Sequence, residues 1–344
     1  MMIYRSKAPF RIGLAGGGTD VSPYSELYGG AILNATISFY AHTSLELLNE
    51  PKVIFESIDQ ACTLEFPSGE EIKTGTALDL QVGIYNRLLK EKFIKENTGI
   101  RLTTSMDVPA GSGLGTSSTL MVSILKAFTE YLSLPFGDYD IAHLAFDIER
   151  NDLKLAGGKQ DQYAATFGGV NFMEFYANDK VIVNPLRIKR EYLHELENNI
   201  VLFFTSSSRS SSAIIQEQQK NVKEKNTSSI EAMHQLKDQA NWMKEALLKG
   251  QLDEIGRILD FGFRQKKQMA QNISNTMLEE IYDAAIQGGA TGGKISGAGG
   301  GGFMFFYCPG NTRYKVIKAL ENFKGYFLNY QFTTVGANSW RAGK

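Results

Sequence analysis

The spacing of apolar positions changes along this chain. From Ile3 to Leu14 they read as one extended segment that ends at the cluster Gly16-Gly17-Gly18. Ala31 to Leu48, rich in Ile, Thr, Phe and Leu, predicts a strand or a hairpin. Val53 to Phe66 repeats that signal ahead of the turn residues Pro67-Ser68-Gly69. Leu78 to Lys92 has a helical pattern, and Ile100 to Val108 alternates as a strand does. Leu120, Ile124, Phe128 and Tyr131 then fall at helical spacing. Pro135-Phe136-Gly137 ends that helix, and Asp138 or Asp140 is placed to cap the next, which runs until Gly157-Gly158 breaks it.

Gly168 to Tyr176, Val181 to Ile188 and Ile200 to Thr205 read as strands. Helical patterns dominate afterwards, over Ser228 to Gly250 and Leu252 to Met269. Thr276 and Glu279 have capping-box spacing for a helix ending near Gln287. A glycine cluster, Gly288 to Gly302, leads into the apolar run Phe303 to Tyr307. The change from strand-rich to helix-rich near residue 190 predicts two domains, 1–190 and 191–344. A length of 344 residues fits that division.

Composition narrows the class. Hydrophobic content of 43% and charged content of 21% are those of a globular protein. A formal net charge of −1 argues against a nucleic-acid partner. No apolar run approaches the roughly 18 residues of a membrane span. Cys62 and Cys308 are the two cysteines, so a disulfide framework is not expected and a cytoplasmic enzyme or binding protein is. The 34 glycines exceed the average share of about 7%, and many of them sit in three clusters.

The most chemically loaded cluster is Pro109-Ala110-Gly111-Ser112-Gly113-Leu114-Gly115-Thr116-Ser117-Ser118, which enters a helical pattern. Glycines let backbone N–H groups approach a ligand closely, and a helix start offers unpaired donors and a positive dipole end. Together they suit a phosphate. The spacing G-x-G-x-G differs from that of dinucleotide folds, and no Gly-Lys-Ser/Thr ends the loop as in a P-loop. The segment Gly288 to Gly293-Lys294 is a near miss, since Ile295 lacks the hydroxyl a magnesium ion needs and the segment follows a helix. The plainer alternative is a glycine-rich turn without a ligand.

Three further constellations carry polar chemistry. Lys7 to Asp20 joins two cations, a glycine turn and a carboxylate that can accept two sugar hydroxyls. Taken alone, Asp20 reads as the cap of a helix over Val21 to Leu27. Twelve positions separate Glu149 from Asp161, with Gly157-Gly158-Lys159 between them. If the glycines fold the chain back, one carboxylate can hold a metal and the other orient a hydroxyl; two unrelated surface carboxylates fit the same spacing. Gly292 to Gly302 suits close backbone approach to a ligand or tight helix–strand packing.

In order, these segments resemble the three motifs of the GHMP kinases. Pro109 to Thr119 is similar to that family's phosphate loop, Ala8 to Asp20 to its N-terminal substrate motif, and Ile295 to Phe303 to its C-terminal glycine motif. The resemblance implies an α+β GHMP kinase fold: an N-terminal domain like domain 2 of ribosomal protein S5 and a C-terminal ferredoxin-like domain, with the site between them. It implies ATP as phosphoryl donor and Mg2+ held by Ser117 and Glu149. It implies Pro109 to Ser118 as the ATP-binding loop, Asp161 as the base or orienting group, and Arg11 as the cation beside it. Gly17, Gly18, Thr19, Asp20, Gly299 and Gly300 are then the expected substrate contacts.

The Gly16-Gly17-Gly18-Thr19-Asp20 turn departs from galactokinases, which carry Gly-Glu-His there. Within the family this chain looks most like the D-glycero-D-manno-heptose 7-phosphate kinases, with L-fucokinase domains as near relatives. That implies phosphorylation of the anomeric C1 hydroxyl of a sugar phosphate, with a homodimer as the candidate assembly. A phosphorylated acceptor needs an anion site of its own. Arg209, Lys159 and Lys7 are the candidates, and the serines around Arg209 read equally well as a solvated loop.

Overall fold

The computed structural model describes residues 2–207 and 211–343. Among these residues an eight-stranded sheet and a four-stranded sheet form the frame. The larger sheet contains β1 (Ile3–Ala15), β2 (Gly30–Leu48), β3 (Lys52–Ser57), β4 (Cys62–Pro67), β5 (Gly99–Met106), β6 (Val170–Phe175), β7 (Val181–Pro185) and β12 (Asn338–Ala342). The smaller contains β8 (Ile200–Phe204), β9 (Gly292–Ile295), β10 (Phe303–Tyr307) and β11 (Tyr326–Phe327), in the order β11-β8-β10-β9.

The segment read as a strand or a hairpin is one strand, β2, of 19 residues. It lacks a turn-forming glycine or proline between Ala31 and Leu48, so nothing reverses it. Its length lets it serve two partners on one edge: Gly30 to Ala35 pair with β6 and Ala41 to Leu48 with β5. β1 runs antiparallel along its other edge, with register shifts between Pro9 and Arg11 and between Gly13 and Ala15. Such irregularities re-aim side chains, and these two bracket the stretch that carries Arg11. The last strand, β12, returns from the far end of the chain to pair with β1.

Helices α1 (Tyr24–Tyr28), α2 (Asp79–Lys90), α3 (Thr116–Leu132), α4 (Asp138–Asp147) and α5 (Gln160–Phe167) belong to the first half. Helices α6 (Arg190–Asn199), α7 (Ser211–Lys223), α8 (Thr227–Lys249), α9 (Asp253–Lys266), α10 (Thr276–Gln287) and α11 (Arg313–Leu320) belong to the second. α3, α5 and α8 all pack on β1 and β2. Ala8 to Ala15 are therefore buried at every position, and β1 reads as a continuous apolar run where a half-buried strand would alternate. None of the described helices is long and apolar enough to cross a membrane.

Two cap assignments shift by one residue or more. Gly137 is the N-cap of α4, and Asp140 reaches back to its N–H at 2.8 Å. Asn275, and not Thr276, caps α10: its side chain accepts from Leu278 N at 3.1 Å. α7 has no counterpart in the sequence reading, because its polar face of Ser, Gln and Lys masks the buried Ile214, Gln218 and Val222.

Candidate active site

Six segments meet at one cavity of about 380 Å3. β1 and the turn after it bring Arg11, Gly17, Gly18 and Asp20; the loop before α3 and the start of that helix bring Gly111, Gly113 and Gly115 to Ser118; the first turn of α5 and the residues before it bring Gly157, Gly158 and Asp161. The second half of the chain adds Ser211 and Gln218 from α7, Lys266 from α9, and Lys294, Gly297 and Ala298 from β9 and the glycine stretch.

The loop takes its shape from alternate glycines. Gly111, Gly113 and Gly115 have φ of 72°, 84° and 78°, a region that residues with a Cβ rarely adopt. Gly115 leads directly into α3, whose first helical bond runs from Thr119 N to Gly115 O. The N–H groups of Thr116, Ser117 and Ser118 precede that bond, so the helix start presents donors and its positive end to the cavity. The C-terminal glycine stretch holds the loop from behind. Phe303 N donates to Ser112 O at 2.9 Å, and Ser296 Oγ donates to Gly113 O at 2.9 Å. Side chains on Gly113 or Gly302 would stand 2.6 Å from Ser296 O or 2.4 Å from Ser112 O. The glycine stretch therefore serves backbone packing here. Gly297 and Ala298 line the cavity, whereas Gly299 and Gly300 turn toward Ile273, to which Gly300 N donates at 2.8 Å.

Glu149 is buried at 1% exposure and fully engaged. Ser117 Oγ donates to its Oε1 at 2.6 Å, while Ser118 Oγ and Gln162 Nε2 both donate to its Oε2 at 2.7 Å. α4 passes into a π-turn at Ile148–Asp152, and Glu149 stands at its start. Such turns rotate a side chain out of the helical stripe and recur at functional sites. Arg150 follows it, 3.3 Å from Glu149 Oε1, and lines the same cavity.

The Gly157-Gly158 break brings Asp161 to the loop. Arg11 donates through Nε to Asp161 Oδ1 at 2.6 Å, its Nη2 lies 2.6 Å from the same oxygen, and its Nη1 donates to Gly113 O at 2.7 Å. No described residue donates to Asp161 Oδ2. Asp20 does cap a helix, though a different one from that expected. Its Oδ2 accepts from Lys159 N and Gln160 N at 2.8 and 2.9 Å, at the start of α5. The helix after Asp20, α1, begins at Tyr24 behind Pro23. Burial pushes the Asp20 carboxyl above its ordinary value; the Gln160 N–H opposes that and nearby Asp161 adds to it.

Several expected contacts point elsewhere. Thr19 is buried, its hydroxyl spent on Gly16 O and Ala31 O. Pro109, Ser112 and Leu114 shape the loop without lining the cavity. Lys159 extends away from it, with Nζ 2.7 Å from Asp179 and 3.2 Å from Glu26. Lys7 lies over the Tyr40 ring. Arg209 lies outside the described residues.

In their place stand two lysines that sequence reasoning missed. Lys266 Nζ donates to Gly297 O at 2.7 Å and Lys294 Nζ to Gly13 O at 2.9 Å. Both are buried, at 2% and 4% exposure. Burial and then Arg11 pull Lys266 down to about 8, with Asp20 and Asp161 acting in the opposite sense. Burial, Lys266 and Arg11 hold Lys294 well below an ordinary lysine. A signal for Lys266 existed: it continues the buried stripe Ile255, Leu259, Phe263 of α9, where a lysine is out of place.

A model of the GHMP kinases N terminal domain matches residues 80–169, and a model of the GHMP kinases C terminal domain matches residues 243–326. The D-glycero-alpha-D-manno-heptose 7-phosphate kinase of Campylobacter jejuni is 49% identical over 341 residues, 99% of this chain and 100% of that one. The chain belongs to the GHMP kinases. The crystal structure of a D-glycero-D-manno-heptose 1-phosphate kinase from Bacteroides thetaiotaomicron superposes with a TM-score of 0.83 at 44% identity, covering 99% of this chain and 100% of that one. The two names place the phosphate differently and agree on a heptose phosphate. An L-fucokinase/L-fucose-1-P guanylyltransferase of Bacteroides fragilis is more distant, 27% identical over 87% of this chain and 34% of its own length. As a GHMP kinase the chain uses ATP as phosphoryl donor, and the glycine loop before α3 falls inside the matched N-terminal segment.

Proposed function

We propose that this GHMP kinase transfers the γ-phosphoryl group of ATP to the anomeric C1 hydroxyl of D-glycero-D-manno-heptose 7-phosphate, giving the 1,7-bisphosphate. One observation carries the reading: the Arg11–Asp161 pair stands in one cavity between the glycine loop and Asp20. That order puts a donor-phosphate cradle, a hydroxyl-orienting carboxylate and a sugar-gripping carboxylate in sequence. The 49% relative supplies the acceptor.

Ser117 and Glu149 fit a magnesium ion. Their oxygens are hard donors 2.6 Å apart at the loop, and Ser118 with Gln162 fixes the second carboxylate oxygen so that Oε1 faces Ser117. No cluster of three or more His, Cys, Asp or Glu occurs among the described residues, so a magnesium ion held by Ser117 and Glu149 would need further ligands from the nucleotide. Bound there, magnesium neutralises charge on the β- and γ-phosphates.

The protein's own groups do the positioning. N–H groups of the loop and of the α3 start hold the donor phosphates. Asp20 grips the sugar through Oδ1, because its Oδ2 is engaged by α5. Asp161 Oδ2 takes the hydrogen bond of the C1 hydroxyl and then its proton as the oxygen attacks the γ-phosphorus and the bond to ADP breaks. Arg11 keeps Asp161 aimed and lies beside the transferring group, where its charge counts most in a poorly solvated site. A cytoplasmic location and a homodimer belong to the same proposal, and sedimentation reads the latter.

The test is an ATP-coupled assay on three acceptors: heptose 7-phosphate, unphosphorylated heptose and L-fucose. Preference for the first is expected. Preference for fucose replaces the acceptor and leaves the kinase class standing. Absence of transfer to any sugar points to a non-catalytic binding protein on this fold.

A further inference from the structure

Lys266 and Lys294 are buried amino groups with no carboxylate of the described residues in ion-pair reach. Neither forms an ion pair with any described residue, and each spends one of its three N–H donors on a backbone carbonyl, Gly297 O and Gly13 O. Taking an ammonium ion out of water costs several kcal/mol unless a counter-charge replaces the lost solvation. Arg11 beside them adds a third positive charge, but its charge is already met by Asp161. Two unmatched cations lining a ligand cavity mark a place for an anion.

Gly17 locates that place. A Cβ on Gly17 would lie 3.7 Å from Lys266 Nζ and 3.8 Å from Lys294 Nζ, so the two ammonium groups converge on the space beside its Cα. Next to it, Gln218 of α7 is 2% exposed, lines the cavity, and has a side-chain nitrogen with no hydrogen-bond partner. Gly18 approaches the same side chain, at 3.6 Å from Cβ to Oε1. Lys294 bonds to Gly13 of β1, just before the turn that carries Gly17 and Asp20, and Lys266 bonds to Gly297 of the C-terminal glycine stretch. Neither lysine bonds to the loop before α3 or to Glu149. Gly17 is three residues from Asp20 in the same turn, and this convergence puts the anion site on the acceptor's side of Asp161.

We propose that Lys266 and Lys294, converging on Gly17 and backed by Gln218, hold the phosphate monoester that the acceptor already carries. The inference rests on the sugar-kinase reading above and deepens it: the acceptor's phosphate, which Arg209 and Lys159 were expected to meet, is met by α9 and β9. A dianion here also favours the protonated form of both lysines, which burial and the neighbouring positive charges oppose.

The experiment compares wild type, Lys266→Met and Gly17→Ala, each with heptose 7-phosphate and with unphosphorylated heptose. Binding is read by calorimetry without nucleotide, and turnover is read as kcat/KM. Gly17 has no positive φ, so its alanine variant keeps the backbone and sets a methyl in the proposed anion site. In both variants the preference for the phosphorylated sugar, as a ratio of affinities, falls by roughly 30-fold or more, the size expected when a buried charge contact is lost. Ligand-free Lys266→Met melts no lower than wild type, since an unmatched buried cation has been removed; a purely structural lysine would give a lower Tm. An unchanged preference, or no binding of heptose 7-phosphate to wild type, overturns the site. Equal loss of kcat on both sugars with affinities intact also overturns it and assigns the lysines to the phosphoryl group in transfer. Failure of wild type to phosphorylate either heptose overturns the functional reading instead, and the binding ratio still decides the anion site.

Discussion

Arg11 holds Asp161 by a single carboxylate oxygen. Nε and Nη2 both lie 2.6 Å from Oδ1, and Nη1 is tied to Gly113 O, so Oδ2 is left without a donor among the described residues. The pair fixes the carboxylate in rotation and couples it to the loop that receives the donor. Asp161→Asn is expected to lower kcat by about 10^2 to 10^4, the usual range for a lost acid–base group. It also leaves the Arg11 side chain, 4% exposed, without a counter-charge, at a cost of about 1–3 kcal/mol. Adding Arg11→Gln should recover part of that stability, and a double-mutant cycle on urea unfolding measures the coupling. Strict additivity would show that the two residues do not act together.

Ser117 and Ser118 both donate to Glu149, yet they should fail differently. Ser117 is exposed to the cavity, and its alanine variant is expected to raise the magnesium concentration needed for half-maximal rate while leaving Tm nearly unchanged. Ser118 is buried and shares Oε2 with Gln162, so Ser118→Ala should cost about 1–2 kcal/mol of stability. Magnesium titrations and thermal melts on the two variants separate the roles. A magnesium effect confined to Ser118→Ala would reverse the assignment.

Lys266 sets a pH dependence for the acceptor. It faces Arg11, Asp20, Asp161 and Lys294, and loses its proton at about 8. Between pH 7 and 9 the KM for heptose 7-phosphate should rise roughly tenfold as that charge is lost, and the rise should be absent in Lys266→Met. Stability of the ligand-free protein moves the other way. From about 8 up to the ordinary lysine value of 10.5 the unfolded chain holds a proton that the folded chain does not, so this group's contribution to stability increases with pH. Calorimetric unfolding across that window checks the sign.

Gly158 makes room for Asp20. A Cβ on Gly158 would stand 1.9 Å from Asp20 Oδ2, closer than any contact can be, so Gly158→Ala must push the carboxylate off the start of α5. The expected result is a KM for the acceptor raised about tenfold or more, with the KM for ATP little changed, because the displaced group touches only the sugar side. A matching rise for ATP would mean that the loop before α3 moved as well.

The sequence by itself determined the local parts. Alternate glycines before a helix specify the shape of the turn, because only glycine adopts φ near +75° at Gly111, Gly113 and Gly115 without strain. Apolar periodicity placed α3, α8, α9 and β10 within a few residues, and the order of three motifs gave the family. These properties depend on neighbours in the chain, which the sequence displays directly. Tertiary structure decided which polar groups meet. Lys159 and Lys294 are both lysines that follow a glycine pair in a motif, yet one is spent on Glu26 and Asp179 while the other enters the cavity. Asp20 caps α5, whose first residue is 140 positions away, instead of the helix that follows it. Such pairings are settled by the packing of α5, α8 and α9 on β1 and the second sheet. Burial then sets the charge each group can keep, and no local pattern of residues carries that information.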